Sequence, residues 1–356
     1  MKILFVFSIF VVICQLINKT ETQQCPAFGS EESILGWMLQ GHIYQTMMAN
    51  IGLHCLSACL KDDRCQSFNF VMSLHMCEFS DRTKEARPED FIPNADRYYF
   101  RKYVHSVPLG SISELAAESC KEIKMSEGRS PNGKYWISTA ESLYSFSKFL
   151  LYCDMTTSGQ TWTLTARFSN NDSKNWMIDS GKWWYDKNVE FGETANPSSN
   201  TDMISQAFWL VSGQEFKITR SDDPQHTALL QTTGDCLGGQ TFRTKITSYG
   251  DFRNGRVWAS DRCLGNCRIQ YGGQYDTTDG FEQASCNGNA TQIGFWCDWS
   301  GDGAVLMIGG GGATCNRADH GIGITEANQA SFVAPPLNTT LATELKALEL
   351  KRRATL

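Results

Sequence analysis

Residues 50–81 read NIGLHCLSACLKDDRCQSFNFVMSLHMCEFSD, and the hydrophobic period changes half way along. In the first half Leu53, Leu56 and Leu60 recur at intervals of three and four, the period of one helix face. Cys55 and Cys59 sit four apart on that helix, so both sulfurs point the same way. In the second half Phe68 and Phe70 alternate around Asn69, and residues 76–80, MCEFS, read as a second strand. The simplest pairing joins Cys59 to Cys65 and Cys55 to Cys77, which staples one helix to a small sheet. Residues 97–100, RYYF, would be its closing strand.

The spacing C-x3-C-L-x-D-x-x-C-x-S-F-N-F, followed by a further cysteine, resembles the PAN/apple domain over residues 25–103. That resemblance implies a module that binds proteins or carbohydrate rather than an enzyme. Family members often add a bridge between the two ends of the domain. Here Cys25 stands at the start, but no cysteine follows RYYFRKYV, residues 97–104. Three fates for Cys25 stay open: a disulfide to another chain, giving a disulfide-linked oligomer; a bridge to the second module; or an unpaired thiol. The module can equally serve as a spacer, stapled because it is too small for a large core.

The amino terminus sets the expected compartment. Lys2 precedes an apolar run over residues 3–14, long enough for a signal h-region and too short to span a bilayer. The polar stretch after it predicts removal of residues 1–23, with the cleavage site approximate. No later segment holds the roughly 18 apolar residues of a membrane helix. The expectation is a secreted, extracellular protein, in which cysteines form disulfides. Losing Cys14 with the signal leaves thirteen of fourteen cysteines, five in a first group ending at Cys77 and eight from Cys120 onward. The odd one falls in the first group. Asn171, Asn289 and Asn338 head N-x-S/T sequons, each the mark of a glycosylated surface loop in such a protein.

A length of 356 residues has room for about two domains. Residues 104–118 contain Pro108 and Gly110 and no cysteine, and they read as the linker between the modules. The net charge of −6 gives no electrostatic footprint for nucleic acid.

The second module, residues 119–333, opens with SCKEIKMSEGRSPNGKYWI, in which Pro131-Asn132-Gly133 is a turn and residues 134–137 a strand. Residues 149–168, FLLYCDMTTSGQTWTLTARF, alternate like two strands around Ser158-Gly159. This opening resembles fibrinogen-related domains, a likeness that implies a Cys120 to Cys153 bridge. Further on, FGETANP, FWLVSGQEFKITRS, CDWSGDG and IGGGG look more like the divergent intelectin-type branch. Intelectin-type lectins bind sugar diols through calcium, but the loop that holds it has no counterpart here, so no ligand residue is carried over. The expected fold class is α+β, a small helix-on-antiparallel-sheet module followed by a larger disulfide-bonded α+β domain with many loops.

The stretch IGGGGATCNRADHGIGIT, residues 308–325, lacks the lysine and hydroxyl of a phosphate-binding loop. Its glycines instead permit a tight loop pinned at Cys315. Asn316, Asp319 and His320 on that loop, with Asp298 and Asp302 from CDWSGDG, would make an oxygen-rich group suited to calcium, and Trp299 would offer a ring face to a sugar. Against this, Asp-Gly pairs here and at Asp276 and Asp279 are ordinary turn chemistry. Trp183, Trp184 and Tyr185 read as core. In the tail, residues 334–356, Leu341, Leu345 and Leu348 fall on one helical face, so a short amphipathic segment that docks or stays disordered is expected.

No H-E-x-x-H or G-x-S-x-G motif occurs and the six histidines are scattered, so a non-enzyme is expected. Two functions remain. One is an extracellular matrix or adhesion protein, partnered by matrix proteins or glycans; its pairing of modules resembles secreted proteins of simple metazoans, including some of the skeletal organic matrix of stony corals. The other is a soluble calcium-dependent lectin.

Overall fold

The computed structural model describes residues 33–103, 106–128, 130–142, 145–155, 160–167, 188–194, 196–199, 201–219, 228, 230–250, 262–265, 267–271, 294–299, 302–309, 320–324 and 347–351. The chain divides into two units, Met1–Thr83 with Glu89–Ser106, and Lys84–Pro88 with Val107–Leu356.

An antiparallel sheet carries the first unit. Its strands are β1 (Ser33–Leu39), β2 (Ile43–Met48), β3 (Ser67–Val71), β4 (Met76–Ser80) and β5 (Phe91–Arg101), in the order β1-β5-β3-β4-β2, and helix α1 (Gly52–Cys59) packs on one face. The disulfides Cys55–Cys77 and Cys59–Cys65 decide which side of α1 faces in. Both cysteines are fully buried, whereas Leu53 is 60% and Leu60 38% exposed. The helix therefore buries its cysteine stripe, and the leucine face read from the periodicity turns partly to solvent. Beneath it Phe68 packs on Phe79 and Phe100, and Phe70 on Tyr98. Gly52 opens the helix against the Tyr98 ring, and a Cβ there would overlap the phenol oxygen. No basic residue lies in the last turn of α1. Lys102, just past β5, supplies the charge from outside: its Nζ donates to the carbonyls of Cys59 and Asp62 at 3.1 and 3.0 Å, a favourable place for a cation.

The opposite face is covered by a bent ribbon. Between Leu35↔Tyr98 and Trp37↔Pro93, β1 advances two residues while β5 advances five. The extra residues let the ribbon fold back, so that Phe91 meets Tyr99 edge to face at 5.1 Å. Asn69 stitches the fold down: its Oδ1 accepts from Leu39 N and its Nδ2 donates to Leu39 O, both at 2.9 Å. Asn69 Nδ2 also reaches Glu78 Oε2 at 3.2 Å, and the Arg97 guanidinium grips both oxygens of Glu78. A buried carboxylate needs such partners.

In the second unit, α2 (Cys120–Glu127) is followed by β6 (Gly133–Ser142), β7 (Ser145–Asp154) and β8 (Trp162–Arg167). Ser119 caps α2 by accepting from Glu122 N, and Cys120–Cys153 fastens the helix to β7. Residues 107–117, within the stretch read as a linker, supply Leu109, Leu115 and Ala117 to the core beside Ile123, Ile137 and Leu151. The turn at Ser158-Gly159 lies outside the described residues. After β9 (Met203–Ile204) come α3 (Ala207–Leu210), β10 (Glu215–Thr219), β11 (Leu230–Thr233), α4 (Phe242–Thr247) and β12 (Arg268–Tyr271). Phe242 of α4 stacks on Phe208 and meets Phe216 and Phe295 edge-on. A further sheet is made of β13 (Gly294–Trp299), β14 (Asp302–Gly309) and β15 (His320–Ile324).

The described part of the tail docks, and it does so as a strand rather than on a helical face. Its residues Ala347–Lys351 form strand β16, which lies between β10 and β8 in the order β12-β11-β10-β16-β8-β7-β6, with β9 paired to β8. The helical periodicity of the leucines competes here with a strand site whose neighbours offer backbone pairing on both sides, with Leu348 opposite Ile218 and Ala166. Leu341 and Leu345 lie outside the described residues.

Candidate interaction surface

Exposed apolar side chains concentrate on the first unit. Of fourteen large exposed hydrophobic residues among the described ones, ten belong to it. Two groups stand out by their placement. At the β1 edge, Gly36 takes a positive φ of 82°, which a side chain would resist, and separates Leu35, 69% exposed, from Trp37, 38% exposed. Trp37 stacks on Phe91 at 5.0 Å between centroids and 16° between planes, which fixes its ring without burying it. Asp90, next to Phe91, holds His42 Nε2 at 2.7 Å.

The second group lies where β2 ends and the β3–β4 hairpin turns. Ala49 N donates to His75 O, and Met48 is opposite Met76. Met48 is 71%, Ile51 51% and Leu74 56% exposed. Between the loop after α1 and β2 sits a polar cluster. Asp62 receives the Arg64 guanidinium and the Tyr44 hydroxyl, and Arg64 lies over the Tyr44 ring at 4.6 Å. The Arg64 hydrogen bond holds the Asp62 carboxyl below its usual range, while burial and then Asp62 push the Tyr44 phenol up.

The second unit is a packed scaffold in its described parts. Arg167 of β8 donates to the carbonyls of Glu193, Asn196 and Thr201, gathering the FGETANP stretch around one guanidinium. Burial depresses its pKa, opposed by Glu193 and Asp202. Glu215 accepts from Thr232 Oγ1 and from the backbone of Asp235 and Cys236, fixing the loop that enters the Cys236–Cys267 bridge; Cys263–Cys297 lies further on. A cleft beside Cys120 and Thr163 offers about 10 Å³, room for roughly a single water. Among the described residues no cluster of three or more histidine, cysteine or acidic side chains is placed to hold a metal.

The residues singled out for calcium or sugar do not converge as a set. Asp298 is opposite Gly303 and Trp299 opposite Asp302, so these three share the turn end of the β13–β14 hairpin. His320 pairs with Gly309, at the other end of β14. Seven residues of strand at ~3.3 Å each separate those ends by roughly 23 Å, beyond the reach of one ion. Asp319 lies outside the described residues, as do Asn316, Asp276, Asp279, Cys25, Cys286, Cys315, Trp183, Trp184, Tyr185 and the sequons at Asn171, Asn289 and Asn338. The Trp37 and Met48 surfaces went unread in the sequence. A continuous apolar run such as ILGWML does not say which of its residues face a core and which face water, and only Gly36, where the run breaks, marks the exposed edge.

Comparison with known families divides the chain at nearly the same place. Residues 30–104 match the PAN domain, which spans the sheet and helix of the first unit. Residues 104–210 match the fibrillar collagen C-terminal domain, from the Leu109 segment through α3. The second match names a collagen-type domain where the opening motif pointed to fibrinogen-related ones. Both are extracellular domain types. With five disulfides among the described residues, and no helix there long and apolar enough to cross a membrane, they are consistent with secretion.

Proposed function

We propose that this protein is an extracellular matrix or adhesion protein that acts by binding, without catalysis, and that the first unit presents the contact surface. The pairing of a PAN match with a fibrillar collagen C-terminal match on one disulfide-bonded chain carries this reading. The stacked but uncovered Trp37 supports the choice of surface, because an aromatic ring held rigid at low entropy cost suits both protein and sugar partners. The register sets His320 and Asp302 at opposite ends of the β14 pairing, so that pair does not favour a calcium lectin.

The test is solid-phase binding of the full secreted chain to matrix proteins and to a glycan array, with calcium and with a chelator. Saturable binding that Trp37→Ala together with Leu35→Asp reduces at least tenfold, at unchanged melting temperature, is the expected result. Equal binding by this variant would move the contact away from β1. Calcium-dependent sugar binding unaffected by the variant would favour the lectin, and turnover on a broad hydrolase panel would overturn the non-enzymatic reading.

A further inference from the structure

A lysine and a carboxylate meet in the dry interior of the second unit. Lys217 Nζ on β10 lies 2.5 Å from Asp154 Oδ2 at the end of β7, with the two side chains 3% and 1% exposed. The two residues are 63 apart in the chain. Trp162, opposite Asp154 in the β7–β8 register, places its ring 5.2 Å from the same Nζ and is itself 1% exposed. The pair is thus enclosed as well as close.

Separate charges are costly in such a place, and passing one proton from the ammonium to the carboxylate leaves a neutral amine against a neutral acid. These are the reactants of an amide. The fold holds them in contact, which gives an intramolecular reaction its high effective concentration, and bulk water is absent to reverse it. We propose that Lys217 and Asp154 condense to an isopeptide cross-link. Lys217 Nζ attacks Asp154 Cγ; the Nζ–Cγ bond forms and one Cγ–Oδ bond breaks. That oxygen leaves as water, carrying the proton already transferred and a second one from Nζ. Nothing is oxidised or reduced, and the net charge of the pair is zero before and after. The product ties β7 to β10 by a bond that, unlike a disulfide, survives reduction.

The experiment is peptide mapping by mass spectrometry of the full secreted protein after deglycosylation and complete reduction. The expected result is a branched peptide joining the Lys217 and Asp154 segments, lighter by one water than its two linear parts, and absent from Lys217→Arg, which keeps the cation but cannot form the amide. Recovery of Lys217 and Asp154 only in linear peptides from the wild-type protein overturns the proposal. So does a one-water loss that maps to other residues. The wild-type map decides the matter even where the variant does not fold.

Discussion

Replacing Asn69 by alanine tests whether the bent β1–β5 ribbon is held by side-chain stitching. Asn69 is fully buried, as is its partner Leu39. The substitution leaves Leu39 N without its acceptor and Leu39 O without its donor, and removes one of the hydrogen bonds to Glu78. A buried polar group left unpaired costs ~1–3 kcal/mol. Glu78 keeps both contacts from Arg97, so its share is small and the two Leu39 groups dominate. With some water entering the vacated space, the expected loss is about 3 kcal/mol, a large part of the ~5–15 kcal/mol that typically holds a domain together. Urea unfolding of the first unit gives the total, and hydrogen exchange in peptides covering residues 33–48 locates it, since the Leu39 amide should lose protection before the α1 amides do. Asn69→Asp, which keeps an acceptor for Leu39 N but sets a second carboxylate beside Glu78, should be at least as damaging. A loss below about 1 kcal/mol for Asn69→Ala, with Leu39 still protected, would mean that strand pairing alone bends the ribbon and that the reasoning from Asn69 is wrong.

Arg87 pairs with Glu118 and Glu122, each at 2.7 Å, and Glu122 is 4% exposed. Burial alone would lower the Arg87 pKa, but the two carboxylates outweigh it and raise the value; Arg87→Met should destabilise the second unit by ~3 kcal/mol, and adding Glu122→Gln should recover part of that loss in the same urea titration. For pH, the sign follows from Asp62, whose folded pKa is depressed chiefly by the Arg64 hydrogen bond. Its contribution to stability is present above the ordinary carboxylate value and fades as pH falls through the folded one. Wild type and Asp62→Asn should therefore differ near neutrality and converge in acid, as followed by circular dichroism; a gap that widens on acidification would contradict the assignment.

What could be read from the sequence was local. Cys55 and Cys59 are one helical turn apart, and their neighbours Cys65 and Cys77 are near in the chain, so the stapled helix and the β3–β4 hairpin follow from short-range pattern. The facing of α1 did not, because a leucine period says only that a stripe exists, and covalent bonds at the cysteines override it. Strand β16 was hidden for another reason. Its partners β10 and β8 lie more than a hundred residues away, and a five-residue segment carries no mark of where it will pair. Connectivity was hidden in the same way: eight cysteines permit 105 pairings, and Cys236–Cys267 and Cys263–Cys297 interleave in the chain. The candidate ligands failed to converge by register, since Asp302 and His320 look like neighbours of a glycine loop in sequence yet sit at opposite ends of β14.

The first unit also bears on why its surface is apolar. A module of this size has few residues to fill a core, and small domains normally bury what apolar surface they have. Here Leu53, Leu35, Met48 and Leu74 are more than half exposed, while a phenylalanine cluster, two disulfides, the Lys102 cap and the Asn69–Glu78–Arg97 network hold the sheet and helix together. Cross-links reduce the entropy of the unfolded chain, and with that help folding does not require these side chains inside. Apolar residues that folding does not need, set on the outer face of α1, on strand edges and at hairpin ends, are free to serve contact with another molecule. Polar replacements at Leu35, Met48 and Leu74 should leave the melting temperature within a few degrees, and a collapse of the fold would show that these side chains belong to the core after all.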